Sequence, residues 1–576
     1  MQQRSKETVE RSWPALPEAM TILNAGVVVV TLLLILAPVG TIFYGSLRTD
    51  APGSPDAGFT FANWVKVYSA PDYLAALLNT MLLAATVAML SVLVGGLMAW
   101  IIARTDAPGR HVLARLVVLP LMISTLVTTL AWIAIAAPNA GFINAWTRGL
   151  TGIKTLFDIY SFSGIVLVLV LHYASFAFLA LFAALRAIDG ALEEASAMSG
   201  AGPLHTTLHL TLPLIWPSTA STLIAIFVLV AENFSVPALL GTPVGFDTLS
   251  ARIFTDMAVT PARPTQAATA GTMLLWLALA ASLWQRRLAG ASGRYATVGG
   301  KGGGRSRLAE LGRWRYLASG FVVLFVVTAV VLPYLALVLG SLMKFLTPNL
   351  KLSLFTLENY ASVLDGDNWL AVENSLLLSA PGGLGIVLAY VLLAHIVRTS
   401  RGAMSVLVDL VTVIPTALPA LVLGVGLVWA FVGSALPIYG TMAILLIAYF
   451  VRYIRIGVQH ALNAFGQLGG DLGEAARVCG ASRFQALRDI EAPIIQPSIM
   501  TLWTLMFIFI FMEISATILL YSPSTATLPT VLWNDMASGF QTRAFAVAVV
   551  QATLIFVILA LTDWKFGTLK ATLERP

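Results

Sequence analysis

Long apolar runs separated by short polar loops recur along the whole chain. About twelve of them are long enough to cross the roughly 30 Å hydrocarbon layer of a membrane as helices. The runs cover approximately residues 20–45, 75–103, 112–136, 162–186, 213–231, 267–285, 317–342, 370–397, 404–432, 438–460, 496–520 and 542–563. The pattern predicts an all-α integral membrane protein of about twelve transmembrane helices.

Two runs depart from a plain spanning helix. The fifth run, 213–231, is short, and the eighth contains Pro381, Gly382 and Gly383. Because proline removes a helical hydrogen bond, we expect a kink in the eighth run.

Composition supports the membrane assignment and excludes several other classes. Of 576 residues, 58% are hydrophobic and only 11% are charged, whereas soluble proteins carry about 25% charged residues. The net charge of +6 comes from basic residues in short loops, a distribution typical of membrane proteins and not of nucleic-acid-binding proteins. Cys479 is the only cysteine, which excludes an intrachain disulfide and a multi-cysteine metal site.

Basic residues also predict which helix ends face the cytoplasm. They cluster after the second, fourth, sixth, eighth and twelfth runs. Because positive loops stay in the cytoplasm, these loops and both termini are expected there. The polar N-terminal segment, 1–19, does not resemble a cleavable signal, so we expect the first run to be retained.

Residues 288–316 form the only long polar stretch between apolar blocks and are rich in glycine and arginine. We interpret them as a flexible cytoplasmic linker. Their GGKGGGRS sequence lacks the G-K-[ST] ending of a phosphate-binding loop, and no hydrophobic strand precedes it. No nucleotide site is therefore expected on this chain.

The chain contains an internal repeat. Residues 194–213 recur as residues 474–493 at a constant offset of 280, with Glu-Ala at the start, a glycine six positions after the glutamate and proline at the end. Asn79-Thr80 and Asn374-Ser375 match at an offset of 295, which indicates insertions or deletions between the blocks.

Each repeated loop follows the fourth apolar run of its half, so the halves are predicted to be parallel repeats with the same topology. We divide the chain into a cytoplasmic N-terminal segment and two membrane domains joined by the linker. The boundaries are 1–19, 20–287, 288–316 and 317–576.

Each copy of the repeated loop is predicted to form two short helices joined at a glycine. Asp189 can cap the first helix of one copy, and Asp471 with Glu474 can form a capping box in the other. Gly200 and Gly480 suit the left-handed conformation that ends a helix.

The first helix of each copy is suited to contact with another protein. Glu193 and Glu194 lie near the positive end of the helix dipole, and the small residues that follow let a partner approach the backbone closely. Pro213 and Pro493 are expected to end the second helix before the next apolar run. A rigid loop of this kind could pass a partner's motion to the membrane helices. An ordinary turn rich in small residues is the alternative.

The loops resemble the E-A-A–x3–G–x9–[I/L/A]–x–L-P segment of binding-protein-dependent ABC importer permeases. The matching residues are Glu194, Ala195, Gly200 and Leu212-Pro213 in the first copy, and Glu474, Ala475, Ala476, Gly480 and Pro493 in the second. Ser196 and Ala492 depart from the motif, which has alanine and leucine there. The resemblance covers essentially the whole chain as two type I ABC importer permease domains.

The resemblance implies partners and a location. In this family the loops couple to a separate ATP-binding subunit, expected here as a homodimer, and a periplasmic or lipid-anchored binding protein delivers the substrate. ATP and Mg would bind to that partner, no cofactor is expected on this chain, and the chain would not be an enzyme. It would lie in the bacterial inner membrane. The implied ATPase-coupling residues are Glu193, Glu194, Ala195, Gly200, Pro213, Glu474, Ala475, Ala476, Gly480 and Pro493.

A narrower resemblance concerns the substrate. The fused arrangement, the linker residues 295–302 and residues 513–523 resemble the ferric-iron permeases, whose relatives include fused thiamine and aminoethylphosphonate permeases. Fe3+ is the substrate that this resemblance implies first. Thiamine, a polyamine, a phosphonate or a sugar-phosphate are alternatives.

Two acidic residues occur within apolar runs, where charge is costly and usually functional. Glu232 and Glu513 lie near the outer ends of the fifth and eleventh runs at an offset of 281, each followed closely by a serine, Ser235 or Ser515. Facing one another across a twofold axis, the carboxylates could transiently bind a hard cation such as Fe3+. Hydrogen bonding to loop backbone is the alternative.

Other polar residues give weaker signals. Asn79 and Asn374 could line the pathway, although hydrogen bonds between helices are the commoner use of such residues. His172 is isolated, which favours a structural role over metal binding. No spacing supports a catalytic constellation. An ion-gradient-driven secondary transporter and a membrane-embedded enzyme are the rival functions, and both leave the repeated loops unexplained.

Overall fold

A computed structural model describes residues 16–292, 308–347, 351–399, 414–466, 475, 478–481, 485 and 487–566. These residues form α-helices and no strand, apart from three isolated bridges between single residues. In the first half the helices are α1 (Leu16–Ser46), α2 (Ala62–Ser69), α3 (Pro71–Arg104), α4 (Arg110–Leu116), α5 (Thr125–Ala136), α6 (Phe142–Thr151), α7 (Phe162–Arg186), α8 (Gly190–Met198), α9 (Pro203–Thr206), α10 (Leu212–Glu232), α11 (Ser235–Leu240), α12 (Leu249–Ala258) and α13 (Pro264–Ser292).

The second half repeats this order. Its helices are α14 (Trp314–Val326), α15 (Leu332–Ser341), α16 (Glu358–Val363), α17 (Gly366–Leu377), α18 (Gly383–Thr399), α19 (Ala420–Phe431), α20 (Met442–Gly466), α21 (Ala492–Phe511), α22 (Thr517–Leu520), α23 (Leu528–Ala537) and α24 (Gln541–Phe566). The halves therefore have the same topology, as the repeat predicts.

Ten helical segments of the described chain are long and apolar enough to cross a membrane, and they correspond to ten of the twelve predicted runs. The third run, 112–136, is instead two helices that meet at 96°. The ninth run, 404–432, lies partly outside the described residues, and its described part contains the 12-residue helix α19.

Both of these breaks follow the same local chemistry. Pro120 and Pro415 each lie in a short 3-10 turn, and α5 and α19 then begin and end at an offset of 295. In the first half the Ser124 hydroxyl accepts a bond from the Val127 amide (3.2 Å) and caps the new helix. Proline ends one helix and, in this half, a capping side chain starts the next, which turns the chain sharply.

Four π-helical turns lie beside prolines in the described chain. Three precede Leu212-Pro213, Leu332-Pro333 and Ala492-Pro493, and the fourth, Leu378–Gly382, lies at the proline where a kink is predicted in the eighth run. The expectation that Pro213 and Pro493 end their segments is wrong, because the helix continues through each of them. A wider turn, in which the Leu212 amide bonds to the Thr207 carbonyl, accommodates the missing proline donor. The fifth span is consequently longer than predicted, at Thr207–Glu232.

The first helix of each half packs on the other half. The Thr41 hydroxyl in α1 donates to the Gly426 carbonyl in α19 (2.7 Å), and a Cβ at Gly426 would lie 2.3 Å from the Pro38 carbonyl oxygen. Glycine therefore permits the close approach of these two backbones. In the reverse direction, α15 packs against α5. The two halves thus exchange their first helices in space.

Candidate coupling loops and transport pathway

The first repeated loop has the predicted capped geometry. The Asp189 carboxylate accepts a bond from the Ala191 amide (3.0 Å) and caps α8, which confirms the predicted cap. Gly200 follows with φ +84°, in the left-handed region that ends a helix. The next helix begins at Pro203 and continues into the membrane span. The loop, residues 189–211, is therefore a short connection that continues directly into α10. We call this loop and its repeat the first and second elbows.

The two adjacent glutamates of this loop point in different directions. Glu193 forms an ion pair with Arg104 at the end of α3 (Nε to Oε1, 3.1 Å) and accepts a bond from the Thr211 hydroxyl (3.2 Å). Arg104 also donates to the Leu185 carbonyl (2.6 Å). Glu193 thus connects the loop to the membrane helices, while Glu194 is exposed.

An exposed face remains on α8 for contact with a partner. Glu194 and Ala195 are exposed, and Met198 is 90% exposed at the end of the helix. A methionine this exposed gains free energy when a partner covers it, because its apolar surface leaves water. This face is the part of the first loop best suited to binding another protein.

The second repeated loop is described only in part. Ala475, Val478, Cys479 and Gly480 are exposed, and Gly480 has φ +92°. Val478 is 87% exposed and occupies the position of Met198 at the offset of 280. The coupling predictions for Glu474 and Ala476, and the predicted cap at Asp471, fall outside the described residues. Both copies therefore present an apolar side chain two positions before a left-handed glycine.

The two predicted pathway asparagines serve the same structural purpose in each half. The Asn79 amide donates to the Asp247 carbonyl (2.9 Å), and the Asn374 amide donates to the Ala526 carbonyl (2.8 Å). The hydroxyls of the next residues, Thr80 and Ser375, accept bonds from the amides that open α12 and α23 (2.8 Å each). Each Asn-Thr/Ser pair thus anchors the loop that precedes a short helix.

Glu232 pairs with a residue that the sequence analysis did not single out. Arg452 of the second half binds both carboxylate oxygens of Glu232, with Nη1 3.0 Å from Oε2. Arg452 lies ten positions after Met442 in the 25-residue helix α20, which is roughly 15 Å along its axis. Glu232 is the last residue of α10, which agrees with its predicted place at the end of the fifth run. The rule that identified Glu232 would also have identified Arg452, because both are charges within apolar runs.

Glu232 and Glu513 lie one position out of register in the repeat, as their offset of 281 indicates. The Ala516 amide donates to Glu513 (3.1 Å) as the Val236 amide donates to Asn233 (3.2 Å), both at an offset of 280. Asn233 is therefore the counterpart of Glu513. Glu232 is the last residue of α10, whereas Glu513 lies beyond the end of α21 at Phe511, and the two carboxylates bind different groups.

Glu513 is engaged within its own half. Its carboxylate accepts a bond from the Tyr453 hydroxyl (2.5 Å), next to Arg452 in the chain. Of the two predicted serines, Ser235 is buried with its hydroxyl 3.5 Å from that of Thr125, and Ser515 is partly buried. The prediction that these residues contact substrate stays a prediction.

Three aromatic rings form a contact between the two halves. Phe254 in α12 and Trp533 in α23 occupy equivalent positions of the two ten-residue helices, and their rings meet edge to face (5.1 Å between centroids). Phe234 lies 5.2 Å from each of them. Because equivalent residues touch only near the axis that relates the halves, this cluster lies on that axis.

The described residues contain no group of three His, Cys, Asp or Glu side chains that could hold a metal ion. His172, which is equivalent to Arg452 at the offset of 280, lies edge to face against Tyr173 (5.0 Å). The Tyr173 and Tyr453 hydroxyl oxygens lie 3.3 and 3.4 Å from the equivalent carbonyl oxygens of Leu229 and Phe509. The transient metal contact predicted for Glu232 and Glu513 stays a prediction.

Comparison with known families gives a match to each half of the chain. Residues 91–291 and 381–565 both match the family described as "Binding-protein-dependent transport system inner membrane component". The matched segments contain both repeated loops and the residues Glu232, Arg452 and Glu513.

Curated relatives match at modest identity. The ferric transport system permease protein FbpB of Actinobacillus pleuropneumoniae is 26% identical over 437 residues, which is 74% of this chain and 62% of the relative. A putative ferric transport system permease protein of Haemophilus influenzae is 28% identical over 397 residues, 67% of this chain and 61% of the relative. The match thus spans less than two thirds of these ferric permeases.

Other matches cover a smaller share of this chain. A putative 2-aminoethylphosphonate transport system permease protein of Salmonella typhimurium is 28% identical over 206 residues, 35% of this chain and 78% of the relative. Among solved structures, a bacterial alginate ABC transporter in complex with an alginate-bound periplasmic protein is 20% identical, with a TM-score of 0.41, 50% of this chain and 100% of that chain covered.

Proposed function

Because this chain belongs to the family of binding-protein-dependent transport system inner membrane components, as a fused permease with two copies of the domain, we propose that it is the membrane-spanning subunit of an ATP-driven importer. It moves a small solute from the periplasm to the cytoplasm without altering it. ATP, with Mg, binds and is hydrolysed on a separate ATP-binding subunit. A periplasmic or lipid-anchored protein delivers the solute.

The observation that carries this proposal is the pair of equivalent loops. Both present an exposed apolar residue, Met198 or Val478, two positions before a glycine with positive φ. The first loop is also continuous with a membrane span through a π-turn and an ion pair. Two identical ATP-binding subunits would each need an equivalent loop to contact. The ATP-binding partner is therefore expected to be a homodimer.

The contacts between the halves support alternating access as the mechanism of transport. The Glu232–Arg452 pair and the Phe254–Trp533 contact on the axis both join the first half to the second. Both must separate when a central path opens. We therefore expect motion of the two elbows to break and re-form these two contacts.

Fe3+ is the first choice of substrate. The ferric permease relatives support it, and carboxylates such as Glu232 and Glu513 are hard ligands suited to a hard cation. Because the Arg452 guanidinium group binds the Glu232 carboxylate in this conformation, a cation would have to displace that group in order to bind Glu232. Thiamine, a polyamine, a phosphonate or a sugar-phosphate remain the alternatives, of which the phosphonate has a relative that matches one half.

The location follows from the same proposal. The chain lies in the bacterial inner membrane, where lipid surrounds its exposed apolar helices, with both termini and both repeated loops in the cytoplasm. Introduced cysteines would test this orientation. Met198→Cys should react with a membrane-impermeant thiol reagent only in inverted vesicles, and reaction in intact cells with permeabilised outer membranes would contradict it.

Transport is tested with proteoliposomes that contain this chain, the ATP-binding subunit and the binding protein encoded beside it. Radioactive Fe3+ uptake should require internal ATP and both partners. Uptake by this chain alone under an ion gradient would instead establish a secondary transporter. Replacing Fe3+ with each alternative solute in the same vesicles identifies the substrate.

A further inference from the structure

The end of the linker is bound to the first half of the protein. Ala309 pairs with Thr105 in a parallel bridge, with bonds from the Ala309 amide to the Arg104 carbonyl (2.8 Å) and from the Asp106 amide to the Ala309 carbonyl (3.2 Å). These backbone bonds hold residues 308–311 against the loop that follows α3.

Side chains strengthen this attachment. Asp106 accepts a bond from the Leu311 amide (3.0 Å) and lies 3.8 Å from Arg315, and the Ser319 hydroxyl donates to the Pro108 carbonyl (2.9 Å). The start of the second half is thus held in place by several bonds in addition to the covalent linker.

The same short segment of α3 also holds the first elbow. Arg104 pairs with Glu193 of α8, and the Trp100 indole donates to the Thr207 hydroxyl (3.0 Å). The linker end and the coupling helix therefore lie on either side of one anchor. Their relative position is set by bonds to α3 and not by the linker's length.

A groove of about 740 Å³ separates the two. Glu194, Ala197 and Met198 line it from the coupling helix, and Leu308 and Glu310 line it from the linker. Glu194 and Glu310 are exposed, and neither is in an ion pair with another residue that the structure describes. The groove therefore has an apolar wall and an acidic rim.

We propose that this groove is a docking surface for a basic segment of the ATP-binding subunit, with a lysine or arginine between Glu194 and Glu310 and an apolar side chain against Met198. The inference rests on the proposed function, and it adds the linker to the coupling interface. Charge complementarity favours a basic protein surface. Anionic lipid headgroups would be repelled by the two carboxylates.

The composite surface belongs to the first elbow. At the repeat offset of 280, Gly473 replaces Glu193, and at the offset of 295, Thr399 replaces Arg104 as the last residue of its helix. The ion pair that anchors the first loop therefore has no counterpart at those positions. Two identical ATP-binding subunits would consequently meet different surfaces on the two halves.

Photo-crosslinking in the full complex tests the proposal. In a Cys479→Ser background, a benzophenone–maleimide is attached to single cysteines at three test positions and one control, Met198→Cys, Val478→Cys, Glu310→Cys and Glu358→Cys. Glu358 is an exposed glutamate at the start of α16, between membrane spans at the opposite end from the loops in the proposed topology. The first three probes should crosslink to the ATP-binding subunit several-fold more than the control.

The outcomes distinguish failure of the proposed function from failure of the docking surface alone. Failure of both Met198→Cys and Val478→Cys to crosslink would overturn the proposed function. If both succeed while Glu310→Cys gives only the control level, or captures a second copy of this chain, the docking surface is wrong and the proposed function stands.

Charge reversal tests the chemistry of the groove. Glu310→Arg should lower both crosslinking from Met198→Cys and ATP-dependent uptake several-fold, Glu310→Gln should lower them less, and Glu358→Arg should leave them unchanged. Equal crosslinking and uptake in Glu310→Arg and the parent would overturn the assignment of a basic partner. Size-exclusion chromatography of each complex checks that the variants are folded.

Discussion

Arg452 of the second half binds both carboxylate oxygens of Glu232 of the first half, about half-way along a helix that is long enough to span the membrane. Both side chains are largely buried, at 19% and 11% exposure. A charge buried without its partner is costly, so this contact joins the halves only while both groups remain.

Loss of either partner of this pair should therefore be harmful. Arg452→Ala or Glu232→Gln is expected to destabilise the state in which the pair forms by about 3–5 kcal/mol, because one charge is left buried and unpaired. The reversed pair, Glu232→Arg with Arg452→Glu, should recover part of the loss. Thermal unfolding in detergent and ATP-dependent uptake measure the two effects. Equal stability of the parent and both single variants would show that the pair contributes nothing.

Glu513 provides a matched contrast. Glu513→Gln should have a small effect on stability, because the amide oxygen can still accept from the Ala516 amide, as the Asn233 amide oxygen does from Val236 in the first half. The amide nitrogen can donate to the Tyr453 hydroxyl, which turns its own hydrogen toward the Phe509 carbonyl. The same unfolding measurement applies. A loss as large as that of Glu232→Gln would mean that the negative charge itself is required, as the predicted cation contact demands.

The left-handed glycines of the two elbows should be sensitive to substitution. Gly200→Ala or Gly480→Ala forces a side chain into positive φ, at a cost of about 1–2 kcal/mol each. Because both sites are exposed, we expect lost coupling, seen as reduced stimulation of ATP hydrolysis by the binding protein, with little loss of assembly. Gly202→Ala is the control, since Gly202 has ordinary φ and open space around it. Identical stimulation in Gly200→Ala and Gly202→Ala would contradict a role for the elbow geometry.

Cys479 offers a test that needs no mutation. It is exposed next to Gly480, so the isolated chain should react rapidly with a maleimide. Assembly with the ATP-binding subunit should slow the reaction several-fold, because the second elbow becomes covered. A reaction rate that does not change on assembly would place the second elbow away from the partner. Denatured protein, in which the thiol is fully accessible, gives the maximal rate.

Much of the fold was predictable because membrane helices leave a strong signal in sequence. Ten predicted runs are helices long and apolar enough to cross a membrane, and the Asp189 cap and the Gly200 and Gly480 stops are confirmed. Local hydrogen-bonding chemistry decides such features, so a short stretch of sequence contains them. The prolines were misjudged, since a π-turn ahead of Pro213 and Pro493 lets the helix continue.

The apolar pattern, the duplication and the chemistry of the two elbows were thus set by the sequence alone, because each depends on neighbours in the chain. Tertiary structure alone decided which side chains meet across the halves. The offset between the two glutamates is 281 and that of the repeat is 280, a small difference in sequence. In the structure, however, Glu232 binds Arg452 of the other half, whereas Glu513 accepts a bond from the Ala516 amide of its own half. The packing of α1 and α15 on the opposite half could not be predicted either. A helix face needs apolar side chains whether it contacts lipid or a neighbouring helix, so the sequence does not distinguish the two.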